Sequence, residues 1–229
     1  MHMRKTIVAV AAIGLWFAVA APPNAAADTA LGESMWSLEI GTDLGAGSSD
    51  GSIAIRRHMG ASSAWRFGID LDFDKRDGDG VLTDTGSPDE DVELFQENIF
   101  YAVSFQWMRF AAVRDNLTAT FAIGPVLQRR RQIYGESQDV GLPSFQSYEV
   151  RQSSTEYGVD LGLGIEWFFT RRLSLGGQAG IRATTGTADV VQIQRFGNAG
   201  TYNKTELNYE LDTTGIEAST GRIKLTGYF

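Results

Sequence analysis

Four sets of residues in this chain are of a type that could do chemistry. His58, in RRHMG, is a proton carrier by type. It has no His-x-Ser arrangement around it. The stretch DFDKRDGDGVLTDTGSPDEDVE offers Asp77, Asp79, Asp84, Asp89, Glu90 and Asp91 as oxygen donors. Calcium favours such clusters, but the spacing is not that of an EF-hand loop, so a solvated loop is expected. The run QRRRQ, with Arg129, Arg130 and Arg131, could grip phosphate through charge-assisted bonds or line a snorkelling rim. The fourth set is the least usual: single carboxylates inside apolar segments, as in YGVDLGLGIEWFFT, where Asp160 and Glu166 interrupt an oily run.

A period of two explains that last set. Tyr157, Val159, Leu161, Leu163, Ile165, Trp167 and Phe169 share one face. Glu156, Gly158, Asp160, Gly162, Gly164 and Glu166 share the other, as alternate residues of a strand do. The same alternation recurs in WSLEIGTDL, SIAIRRHMG, WRFGIDLDFD, NIFYAVSFQW, LTATFAIGPVLQ, LSLGGQAGIRAT and GRIKLTGYF. Eight strands are predicted. The links ASSA, VRDN and TRR are tight, whereas the segments near 75–93, 135–152 and 195–206 read as long polar loops. Short turns at one end and long loops at the other fit an all-β, eight-stranded antiparallel up-and-down transmembrane β-barrel.

Residues 1–27 read as a cleaved signal peptide, with a basic start, an apolar core and Ala25-Ala26-Ala27 before Asp28. The barrel domain then spans 28–229. It would keep 18 basic residues against 28 acidic ones, a net charge of −10, which argues against a nucleic-acid partner. The absence of cysteine leaves packing and hydrogen bonds to hold an exported fold.

A soluble barrel would turn its oily face inward, and the tryptophans oppose that. Trp36, Trp65, Trp107 and Trp167 fall at one end of the barrel on the apolar face, as a periplasmic aromatic girdle would. The polar face is then the lumen. Its expected charge network, structural or gating, comprises Glu39, Asp43, Arg56, Arg66, Asp70, Asp160, Glu166, Arg182, Arg222 and Lys224, with Asp72, Glu156 and Arg130 beside it. Buried charges need partners, so these residues should pair as struts. Arg57 conflicts with this register, because it faces outward close to a turn.

On these features the chain resembles the OmpA/OmpX-like small outer-membrane barrels and the related porin-family β-barrel domain. The resemblance covers the segment after residue 27 and includes the ending IKLTGYF. Within it, Ile223, Leu225 and Phe229 resemble the assembly signal read by the barrel-assembly machinery, while Gly221 and Gly227 depart from the pattern. It implies a Gram-negative outer-membrane location and contact with outer-membrane lipid and lipopolysaccharide. It also implies a structural or surface-interaction role in membrane integrity, adhesion or defence, with a surface protein or host ligand at the loops. A narrow or gated porin-like channel for small solutes or ions is the alternative. A lipid A-modifying enzyme is less favoured, because the family's enzymes use a His with a Ser and an acid. No catalytic residue, metal or cofactor is expected.

Overall fold

Alternating apolar and polar residues cannot satisfy a lipid exterior as an open sheet, because every edge would leave backbone groups unpaired. In a computed structural model the strands close on themselves. The structure describes residues 36–43, 51–60, 62–82, 90–114, 116–139, 145–170, 172–198 and 201–229, so the expected signal peptide lies outside the described residues. The strands are β1 (Trp36–Asp43), β2 (Gly51–His58), β3 (Ser63–Leu82), β4 (Glu90–Arg114), β5 (Leu117–Asp139), β6 (Phe145–Phe168), β7 (Leu173–Asn198) and β8 (Thr201–Tyr228). Each pairs antiparallel with its sequence neighbours, and β8 returns to β1 to close the barrel.

Closure runs to the chain end: Trp36 and Phe229 exchange backbone hydrogen bonds of 3.1 and 2.9 Å. The short turns are built as the sequence suggests. Gly60 takes a φ of 110° between β2 and β3, which a side chain would resist. Between β6 and β7 the Thr170 hydroxyl accepts the backbone N–H groups of Arg172 and Leu173 at 3.1 and 3.0 Å.

The long strands correct the loop assignments. β3 and β4 extend to leave 83–89 between them, β5 and β6 leave 140–144, and β7 and β8 leave 199–200. Much of 75–93, 135–152 and 195–206 is therefore strand. Among the described residues β1 and β2 do not take part in this extension. β1 pairs β8 only from Arg222 to Tyr228, and β2 pairs β3 only as far as Leu71. Beyond that level the pairing among the described residues runs from β3 to β8, with β3 and β8 as its outermost strands.

A bulge marks the transition on β8. Gln178 pairs Arg222 but Gly180 pairs Ser219, so β8 carries one extra residue there. Gly221 sits in it with a φ of 127°. Below the bulge the even-numbered side chains Arg222, Lys224, Thr226 and Tyr228 share the lumen face. Above it Glu217, Leu211, Tyr209 and Leu207 take that face, opposite Arg182, Ala188, Val190 and Gln192.

Candidate functional site

The outer face of the barrel is apolar and open to its surroundings. Ile40, Ile53, Phe67, Leu71, Phe73, Phe105, Leu127, Ile165 and Leu225 are all exposed. Such a continuous oily belt on a closed barrel is the surface of a membrane-spanning one. Trp36, Arg57, Trp65 and Trp107 follow one another in one register row across β1 to β4, and Trp167 lies at the same end of β6. Arg57 is at home in this row: its guanidinium lies over the Trp36 ring, 5.6 Å from the centroid. Its outward position fits the register rather than counting against it.

The inner face gathers charges in layers. At the turn end, His58 is 1% exposed between the rings of Phe110 and Tyr228, and its Nε2 lies 3.3 Å from Ser37 Oγ. Above it Glu39, 0% exposed, is the hub of the first ionic layer. It accepts Arg66 Nη2 at 2.7 Å and Nε at 3.1 Å, and lies 3.0 Å from Lys224 Nζ. Arg56 bonds Glu39 through one nitrogen and Glu166 Oε2 through another at 2.9 Å. Glu166 also accepts the hydroxyls of Ser174 and Tyr228, the latter at 2.5 Å. Every carboxylate oxygen in this layer is occupied, which is what low dielectric demands.

The next layer is wetter. Asp70 accepts Arg222 Nη1 at 2.8 Å and Arg182 Nη2 at 2.9 Å, and Arg182 also reaches Asp160 at 3.2 Å. Gln106 Nε2 donates to Asp160 at 3.1 Å and thereby links the two layers, since its Oε1 accepts Arg66 at 2.9 Å. An open cavity of about 260 Å³ lies above, lined by Asp72, Phe100, Arg130, Gln178, Glu217 and the second layer. Arg130 and Glu217 pair across its mouth at 3.2 Å, both half-exposed.

Nine of the ten expected lumen residues are thus placed on the inner face: Glu39, Arg56, Arg66, Asp70, Asp160, Glu166, Arg182, Arg222 and Lys224. Asp43 pairs Arg222 in register, but its side chain lies outside the described residues. Of the C-terminal triplet, Ile223 and Leu225 point outward into the belt, and Phe229 is 73% exposed. The acidic stretch is divided: Asp77 and Asp79 stand on β3, exposed, and Lys75 pairs Asp77 at 3.0 Å. Asp84 and Asp89 lie outside the described residues.

Sequence reasoning left the neutral partners Gln106, Gln128, Gln178, Ser174 and Tyr228 out of the charge network, although all lie on the polar face with the charged residues. It also missed the change of lining above the bulge. There the inner face of the sheet turns to Leu94, Tyr134, Tyr148, Val150, Val190 and Tyr209, with Val150 and Val190 buried.

No family model matches this chain, and no curated protein does. Among solved structures it is similar to a major outer membrane protein from Thermus thermophilus, at 13% identity, a TM-score of 0.41, and coverage of 86% of this chain and 99% of that one. It is similar to Acinetobacter baumannii CarO at 11% identity, TM-score 0.39, with 88% and 100% covered. For Acinetobacter baumannii CarO2 the values are 8%, 0.39, 86% and 99%.

Proposed function

We propose that the chain is an integral outer-membrane barrel of a Gram-negative bacterium whose lumen is a closed structural core and whose projecting sheet does the work at the cell surface. One observation carries this reading: among the described residues β1 and β2 are paired only as far as Asp43 and Gly51, while β3 to β8 stay paired well beyond that level. Strands beyond the roughly 9–11 residues needed to span are not required by the membrane. Their edges, along β3 from Asp74 outward and along β8 above Arg222, carry no further strand partner among the described residues and suit recruitment of a surface protein or host ligand by strand addition. Membrane integrity, adhesion or defence is the class of role this serves, as in the OmpA/OmpX-like barrels that the sequence resembles.

Lys75, Glu97, Ile133, Arg151, Val191 and Asn208 form one continuous register row, which gives a clean place to cut. A variant with short turns replacing 76–96, 134–150 and 192–207 should still fold as a heat-modifiable barrel. It should lose the surface phenotype of the full chain, read as adhesion and as survival in serum. Full retention of both by the trimmed barrel overturns the reading.

The cavity beneath Arg130 and Glu217 favours a second reading, a narrow gated channel. Conduction would require the Glu39 layer to part. Single-channel recording of the refolded protein decides: steps altered by Glu166→Gln support a pore, and silence from a folded barrel supports the plugged core. A lipid A enzyme gains nothing from a histidine sealed inside the barrel.

A further inference from the structure

The basic residues above the belt have acidic partners with two exceptions. Lys75 pairs Asp77, Arg76 pairs Asp74, Arg130 pairs Glu217, Arg151 and Arg195 both pair Glu149, and Lys204 pairs Glu206. Arg129 and Arg131 make no ion pair or side-chain hydrogen bond among the described residues, although the whole chain carries 28 acids against 20 basic residues. Both are exposed and face outward on β5, on either side of the inward Arg130.

Their height is defined by the residues below them. The outward set on β5 is Leu117, Ala119, Phe121, Ile123, Pro125 and Leu127, which at ~3.3 Å per residue and a tilt near 40° spans about 25 Å. That is the height of one apolar band, so Arg129 stands at the first position above it. Tyr157, paired with Leu127, and Tyr101, paired with Arg129, are exposed aromatics at the same level. Hydroxyls flank the pair on the other side: Thr155 is opposite Arg129, and Ser153 is opposite Arg131. The next acid on this face, Glu97, is one step further out, opposite Ile133. Around the barrel the same rows turn acidic, with Asp212 opposite Thr187 and Glu210 opposite Asp189. The basic pair is therefore local to β5 and not part of a ring.

We propose that Arg129 and Arg131 form a binding site for the phosphate group of a phosphorylated glycolipid in the outer leaflet. Residues two apart on one strand face stand roughly 7 Å apart, so two guanidinium forks can close on a single phosphate from either side. Tyr101, Ser153 and Thr155 supply hydroxyl donors around it, and the band below takes the acyl chains. The acidic β7–β8 side repels the same headgroup, so the lipid is held on one side of the barrel. The inference rests on the outer-membrane reading.

The test is native mass spectrometry of the folded full chain in detergent. The probes are bisphosphorylated lipid A, the same lipid with its phosphates removed, and inorganic phosphate. The bisphosphorylated lipid should remain bound. The Arg129→Gln/Arg131→Gln variant should weaken it about ten-fold or more, since charge-assisted forks are lost, while Arg151→Gln, already committed to Glu149, stays within about two-fold. Glu97→Gln should tighten binding. Equal retention of the dephosphorylated lipid, or an unaffected double variant, overturns the site. Saturation by inorganic phosphate at the same concentration overturns its assignment to a lipid. A chain that folds but fails to insert into vesicles refutes the outer-membrane reading; one that inserts but shows no phosphate dependence refutes only the site.

Discussion

Removing the Glu39 carboxylate is the sharpest perturbation of the lumen, because three cations depend on it. Its contacts with Arg66 at 2.7 Å and Lys224 at 3.0 Å are each worth about 5–6 kcal/mol gross at an effective dielectric near 20. Most of that is offset by the desolvation of charges that are almost wholly buried. The layer holds Arg56, Arg66 and Lys224 against Glu39 and Glu166, a formal excess of one positive charge. Glu39→Gln raises the excess to two and leaves the cations with one carboxylate. The expected loss of unfolding free energy is about 3–5 kcal/mol, the usual cost of breaking a buried pair from one side. Urea unfolding of the refolded barrel in lipid vesicles, followed by tryptophan emission and by heat modifiability, measures it. Adding Lys224→Met removes one stranded cation, so the double variant should recover part of the loss. A drop below about 1 kcal/mol for Glu39→Gln, with no coupling to Lys224→Met, refutes the reasoning that this layer is a structural core.

A Cβ at Gly158 would fall 1.9 Å from Ala183 O, so Gly158→Ala should cost about 1–3 kcal/mol in the same assay. Gly215→Ala, whose added carbon meets Thr184 Oγ1 at 3.6 Å, should not. Glu217→Gln breaks a half-exposed pair and should change stability by no more than about 1 kcal/mol; in bilayer recordings it alters conductance only if the lumen conducts. Tryptophan emission should be quenched most by lipids brominated near the headgroup and least by those brominated at the chain ends, because Trp36, Trp65 and Trp107 share one row at the barrel's turn end.

The sequence made the membrane part of this fold readable because lipid outside and packed charge inside impose a strict period of two. Wherever both conditions hold, as in Trp65 to Phe73 or Tyr157 to Trp167, the strand and its facing follow from residue type alone. Above the belt the outer face no longer meets lipid and can carry polar residues, so the period fades. EVRQSSTE and NKTELNYE therefore look like loops although they are strand. The lumen inventory could be read, but its pairings could not. Arg56 meets Glu166 across a sequence separation of 110, and Arg182 meets Asp70 across 112. Those contacts depend on barrel closure and stagger, which no local pattern encodes.

The extra residue on β8 has a consequence for how this strand tolerates change. The strand is a single text read in two frames, with Gly221 as the point of the shift. Loss of one residue there would leave every contact of 222–228 in place and turn the whole upper segment over. Leu207, Tyr209 and Leu211 would trade places with Asn208, Glu210 and Asp212. No side chain above the bulge would be altered, yet β8 would present its oily side to the outside and its acids within. Insertions and deletions near Gly221 are therefore expected to be tolerated in pairs and rejected singly, whereas substitutions at the same positions act only locally.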